Sequence, residues 1–215
     1  MDPLTDARPR ALLCDFDGTL ADSLGLLRQV YAGFLARFGA AATPGEFDSL
    51  NGPPLAEVVA ILRRTHDLPV GQEEALKLYN GDIAAAWPTL APSEGAKSLL
   101  EAAKAAGWRV AIVTSNDRAR IEAWLEKVGL VDLVDRVIGG DVKPGKPHPA
   151  PYLAALEALG CRAEDAIAIE DAPMGYQSAV AAGVRTLFYA PPDRPAGPDG
   201  SERLFMLSDA GRLLD

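Results

Sequence analysis

Cysteine is nearly absent from this chain: Cys14 and Cys161 are the whole complement in 215 residues. Two thiols so far apart build neither a disulfide framework nor a spaced metal site, so both are expected reduced, with Cys14 in the core. Long apolar runs are also missing, which leaves no segment of membrane-spanning length. The first ten residues, MDPLTDARPR, lack the basic-then-apolar order of a signal peptide, and a cytoplasmic protein is expected. Basic charge is in deficit. The formal charge is −9 and the pI about 4.8, which argues against a nucleic-acid backbone as partner. It does not exclude a small anionic substrate, because a bound cation inverts the local field. What is there is ordinary: 48% hydrophobic residues and a mean hydropathy of +0.04. That is enough chain for one sizeable core, or a core with a small second unit.

Strand and helix signals alternate through most of the sequence. Ala11-Leu12-Leu13-Cys14 reads as a short buried strand. Leu27, Val30, Tyr31, Phe34 and Phe38 follow as one apolar helical stripe. Leu55, Val58, Val59 and Leu62 signal a second helix, and Leu76, Tyr79 and Ile83 a third. No strand signal appears across 23–86, so this stretch is expected to be an all-helical insert. The alternation then resumes. Helices are expected at 94–106, 118–128, 149–159 and 174–182, most of them closed by a glycine. Strands are expected at 108–113, 134–138, 166–169 and 184–188, with an edge strand at 204–207 and a terminal helix or turn after it. The predicted fold is α/β: a Rossmann-like three-layer core with a mainly parallel sheet, formed by residues 1–22 and 87–215, and the helical insert. Ligands of such sheets bind beyond the C-terminal strand ends.

Those ends carry the polar residues. The first strand runs into Asp15-Phe16-Asp17-Gly18-Thr19, the next into Thr114-Ser115-Asn116, and a later one into Glu170-Asp171, with Gly145-Lys146-Pro147 in a loop between. On a regular strand Asp15 and Asp17 would share a face. Converging carboxylates repel unless a cation sits between them, and magnesium suits oxygen ligands. The expected ligands are Asp15, Asp171 and the backbone carbonyl of Asp17, with Glu170 either ligating through water or orienting the others. Asp15 is the candidate nucleophile and Asp17 the candidate proton donor to the leaving alcohol, later activating water. Gly18, Thr114, Ser115 and Lys146 are the candidate phosphate contacts, and Asn116 a candidate contact to the phosphate or the leaving group. Thr114 is alternatively a helix cap, and Lys143-Pro144 duplicates the Lys146-Pro147 pair.

Four segments resemble the motifs of the haloacid dehalogenase-like hydrolases: DFDGTLADS at 15–23, VAIVTSN at 110–116, GKPHPAPY at 145–152 and AIEDAPMGYQSAVAAGV at 168–184. The resemblance covers nearly the whole chain. It implies Asp15 as nucleophile, Asp17 as acid/base, Thr114 on phosphate, Lys146 rather than Lys143 as the catalytic lysine, and Asp171 on magnesium. Ala150 departs from the pattern, since many relatives carry aspartate there. The branch implied is that of the phosphoglycolate phosphatases and beta-phosphoglucomutases, whose helical cap follows the first motif. The cap would be 23–86, and its closure would exclude water.

Asp17 separates the options within the family, because a halide leaving group needs no proton. Its presence favours phosphate esters over dehalogenation. The mutases carry a cap histidine where this chain has Leu27, and an arginine after the cap glycine where Gly52 is followed by Pro53. Hydrolysis of a small phosphorylated metabolite by a monomer or weak homodimer is therefore the expected activity, with a sugar phosphate mutase as the alternative. Asn51 and Gly52 are the candidate specificity residues of the cap. Arg63, Arg64 and His66 are expected near solvent. Phosphoglycolate, sugar phosphates and nucleotide monophosphates all remain open as substrates.

Overall fold

The computed structural model describes residues 9–50, 55–192 and 194–214. The chain divides into two compact units, Asp22–Ala91 and the combination of Met1–Ala21 with Pro92–Asp215. Asn51 and Gly52 lie outside the described residues. Among those described, no helix is long and apolar enough to cross a membrane.

Among its described residues the Asp22–Ala91 unit has helices and no strand: α1 (Ser23–Arg37), α2 (Pro44–Ser49), α3 (Leu55–Thr65) and α4 (Gln72–Ala86). The apolar stripes meet in one cluster, with Val30, Tyr31 and Phe34 of α1 against Val58, Val59 and Leu62 of α3 and Ala75, Tyr79 and Ile83 of α4. The Phe34 ring meets Phe38 and Tyr79 edge-on at 5.3 and 5.0 Å. Truncating so buried a ring to alanine costs about 3–5 kcal/mol. Helix α2 was not expected. Its six residues are too few to display a helical period, and it starts on local chemistry instead, the Thr43 hydroxyl accepting from the Glu46 amide at 3.4 Å.

The other unit carries one six-stranded sheet, in the order β3-β2-β1-β4-β5-β6. The strands are β1 (Ala11–Cys14), β2 (Arg109–Val113), β3 (Arg136–Ile138), β4 (Ala166–Glu170), β5 (Arg185–Tyr189) and β6 (Glu202–Leu204). Every neighbouring pair is parallel. Helices α5 (Ala96–Ala105), α6 (Arg118–Val128), α7 (Ala150–Leu159), α8 (Pro173–Ala181) and the short α9 (Leu207–Ala210) complete the unit. On one face Ala11, Leu13, Ala111, Val113, Ala166 and Ala168 pack against Tyr152, Ala155 and Leu159 of α7 and Ala179 of α8. The alternate residues Leu12, Cys14, Val110 and Ile112 are equally buried, as a parallel sheet covered on both faces requires. The free thiol of Cys14 is pushed up in pKa by burial, then by Asp15 and Glu170.

β1 is the expected Ala11–Cys14, with Asp15 and Asp17 just past its end; the shared face of a regular strand does not apply there, since Asp17 makes a bridge with Ala21. One strand expectation needs correction. The edge strand is 202–204, not 204–207, because Met206 is already the residue that opens α9.

Candidate active site

The register of the sheet builds the site. Cys14 lies beside Ile112 of β2 and Ile169 of β4. One step further along all three strands puts Asp15, Val113 and Glu170 on a common rung. Lys146 closes that rung. Its Nζ donates to Asp15 Oδ1 at 2.6 Å, to the Val113 carbonyl at 2.8 Å and to Glu170 Oε1 at 2.6 Å. Three acceptors use all three ammonium protons. Burial alone would lower the lysine's pKa, but Asp15 and Glu170 outweigh it and raise it, so the amine stays cationic. Removing one member of so buried a pair costs about 3–5 kcal/mol. Lys143, by contrast, is exposed.

Glu170 is 1% exposed. The hydroxyl of Tyr152, fully buried on α7, donates a short hydrogen bond to the same Oε1 that Lys146 holds. A Cβ on Gly175 of α8 would fall 2.1 Å from Glu170 Oε2, so only glycine lets the carboxylate sit there. Burial, reinforced by Asp15, pushes the Glu170 carboxyl up to about 7 against the pull of Lys146.

Asp171 follows in the turn between β4 and α8. Burial, then Asp15 and Glu170, hold its carboxyl well above the usual range, and Arg194 pulls the other way. Arg194 Nη1 lies 3.2 Å from Asp171 Oδ2 and donates to the Gly18 carbonyl at 2.6 Å. Gly18 has φ 78°, in the left-handed region that suits glycine, and its amide donates to the Ala21 carbonyl at 2.9 Å. Both of its backbone polar groups are thus engaged, and what Gly18 supplies is the turn that carries Asp17.

The β2 end is arranged for Asn116. The Thr114 hydroxyl accepts from the Asn116 amide at 3.0 Å, and α6 is capped by Asp117, which accepts from the Arg120 amide at 3.0 Å. Thr114 is therefore not that helix's cap. Ser115 is exposed beside an open cleft of about 620 Å³. Asn116 Nδ2 meets Asp17 Oδ2 at 3.4 Å. In the helical unit the expected solvent-facing cations are partly engaged: His66 Nε2 lies 2.9 Å from Glu46 Oε2, and Arg63 Nε donates to the Val70 carbonyl at 2.7 Å. Only Arg64 of the three is exposed.

Asp15, Glu170 and Asp171 place one oxygen each within 4.8 Å of one another. Counting Asp17, four carboxylates face two cations, Lys146 and Arg194, which leaves a formal −2 when all are ionised. An all-oxygen donor set with that surplus fits a hard divalent cation. Sequence reading missed Tyr152, which sits in an apolar helical stripe and reads as plain core. It also missed Arg194, whose signal was an arginine in the proline-rich loop just past the end of β5.

Comparison with known proteins agrees with this arrangement. The family model of the haloacid dehalogenase-like hydrolases matches residues 12–189. The chain is 32% identical to hexitol phosphatase A of Escherichia coli K12, over 87% of this chain and 87% of that protein. It is 27% identical to the 6-phosphogluconate phosphatase of the same organism, over 85% and 83%. A HAD-family hydrolase of Deinococcus radiodurans R1, solved with phosphate and sodium bound, superimposes with a TM-score of 0.77 at 29% identity, covering 95% of this chain and 94% of that one.

Proposed function

The chain belongs to the haloacid dehalogenase-like hydrolases, and from that premise we propose that it is a magnesium-dependent phosphatase that hydrolyses a small phosphate monoester through a phosphoaspartate at Asp15. The observation that carries the reading is the rung Asp15–Lys146–Glu170 with Asp171 and Asp17 beside it. Asp15, Asp171 and Glu170, with the Asp17 carbonyl, are the groups that would hold the ion. Magnesium, when bound, neutralises phosphoryl charge and holds the phosphoryl oxygens in place.

The chain's own residues do the rest. Lys146 fixes Asp15 Oδ1, which orients the carboxylate and leaves Oδ2 for in-line attack on phosphorus. The Asp15–phosphorus bond forms as the bond to the ester oxygen breaks, and Asp17 passes a proton to that oxygen as the alcohol leaves. Asp17, now a carboxylate, takes a proton from water. The resulting hydroxide attacks the phosphorus and releases inorganic phosphate, restoring Asp15. Lys146 and the Thr114–Ser115 turn face the negative charge that builds on the phosphoryl oxygens.

The test is release of inorganic phosphate from a panel of phosphate monoesters with magnesium and with chelator. The two relatives are named for hexitol phosphates and 6-phosphogluconate, so sugar and polyol phosphates head the panel, followed by phosphoglycolate and nucleotide monophosphates. Turnover is expected with magnesium and is lost with chelator. Asp15→Asn should abolish it with the fold intact. An isomerised product without phosphate release would favour the mutase, and a folded protein silent on the whole panel would overturn both.

A further inference from the structure

We infer that Asn116 is a positioning residue for the proton-donating carboxylate of Asp17, rather than a contact to the phosphate. The inference rests on the phosphatase reading above and on the way Asn116 is held. Its backbone amide donates to the Thr114 hydroxyl at 3.0 Å. Its carbonyl accepts from the Gly140 amide at 2.8 Å. Gly140 is itself required there, since a Cβ would fall 2.2 Å from the Ser115 carbonyl oxygen. The side-chain Oδ1 accepts from the Asp117 amide at 2.9 Å, and Asp117 is fixed in turn as the α6 cap. With Oδ1 committed to a donor, the amide has one orientation, and Nδ2 is the end that faces Asp17 Oδ2 at 3.4 Å.

An amide N–H can only donate. Held against Oδ2, it makes that oxygen the acceptor and fixes which edge of the carboxyl faces Asn116. Asp17 stands beyond the strand end, its backbone bridged to Ala21 and followed by the Gly18 turn; that holds the main chain but not the side-chain torsion, so a fixed neighbour decides where the acid points. Asn116 also lines the open cleft with Ser115, Asp117 and Arg118. Asn116 thus touches both the acid and an open space.

A positioning role for the acid and a phosphate-binding role predict different substrate dependence. An alkyl alcohol leaves only if protonated, whereas p-nitrophenolate leaves without help. Phosphate contacts are common to both esters. Because Asp17 also serves the water step, the readout is the single-turnover rate of phosphoenzyme formation, measured by rapid quench with magnesium. For Asn116→Ala that rate is expected to fall about 10–100-fold on an alkyl phosphate and less than about 3-fold on p-nitrophenyl phosphate. Asn116→Asp, which turns an oxygen toward Asp17, should show a split at least as wide. Asp17→Asn is the reference and should show the widest split. Equal losses on both esters, or no loss on either, while Asp17→Asn still splits them, would overturn the role of Asn116 and leave the mechanism standing. No split with Asp17→Asn would instead remove Asp17 as proton donor, and the inference with it. Thermal midpoints of all three variants establish that the rates come from folded protein.

Discussion

The two units handle charge in opposite ways. In the helical unit these acids are each met by a donor, at partly buried or exposed positions: Glu46 accepts from Tyr31 and lies 3.0 and 2.9 Å from His66 Nε2, Arg28 meets Asp48 at 2.9 Å and Arg37 meets Asp82 at 2.7 Å. At the strand ends of the other unit the acids are buried and outnumber their cations. Asp15, Glu170 and Asp171 converge, and Lys146 and Arg194 do not balance them once Asp17 is counted. A matched network stabilises its own fold. A surplus of one sign costs the fold and is retained for a partner that supplies the other sign. The imbalance, more than the presence of acids, marks which of the two networks is the site.

Asp171 is where the surplus of acids matters most. Asp171→Asn removes a carboxyl that burial and its acidic neighbours already hold against ionisation. Phosphatase activity should fall about 100-fold or more, since a cation's stabilisation of the transition state is worth several kcal/mol. In magnesium-free buffer the same variant should melt no lower than the parent, because a neutral amide of the same shape replaces a crowded carboxyl. A clear drop in that melting temperature would show that Asp171 serves the fold, as Glu46 does. Gly175→Ala comes next. The new Cβ meets the Glu170 carboxylate at 2.1 Å, and either the helix or the acid must move. Denaturant unfolding should show a loss of about 1–3 kcal/mol, together with a fall in turnover as the Lys146 rung is displaced.

How far the site can be read from the chain follows the same division. The motif acids and Thr114 announce themselves because each falls just past an apolar strand, and parallel strands in register bring those ends together; Lys146 announces itself only through the Gly145-Lys146-Pro147 loop that follows β3. Asn116 is legible as a site residue, but its direction is not: that depends on the Asp117 amide claiming Oδ1, which spacing does not reveal. Tyr152 is hidden because an aromatic in a helical stripe looks like core whether or not its hydroxyl has a partner. Arg194 reaches Gly18 across 176 positions of sequence, from a loop with no periodicity to place it. The helical unit was legible as helices through its apolar stripes. Its polar network was not, since Glu46 sits on α2, a helix too short to announce itself.

Glu46 supplies the matching half of the comparison. Glu46→Gln keeps the shape but removes the charge that faces His66 and the acceptor that faces Tyr31. Thermal or denaturant unfolding should show a loss of about 1–3 kcal/mol, with no change in the magnesium requirement of turnover. If the requirement shifts, the network belongs to the site after all.

Asp135 gives the smallest expected effect and a pH signature. Its carboxylate accepts from Lys104 Nζ at 2.8 and 2.9 Å and from the Val110 amide at 2.7 Å. Burial would raise its pKa, but Lys104 and the Val110 amide outweigh it and the net direction is down, below the ordinary 3.8. A carboxyl lowered by folding contributes stability that is fully present above its unfolded pKa and is lost as pH falls through its folded one. Asp135 is about a third exposed, so water screens the pair and the contribution is at most about 1 kcal/mol. Asp135→Asn should therefore unfold about that much more easily at pH 7, and the gap between variant and parent should narrow as pH drops below 3.8. A gap that stays constant down through that range would assign the effect to lost packing and the backbone hydrogen bond, and not to the ion pair.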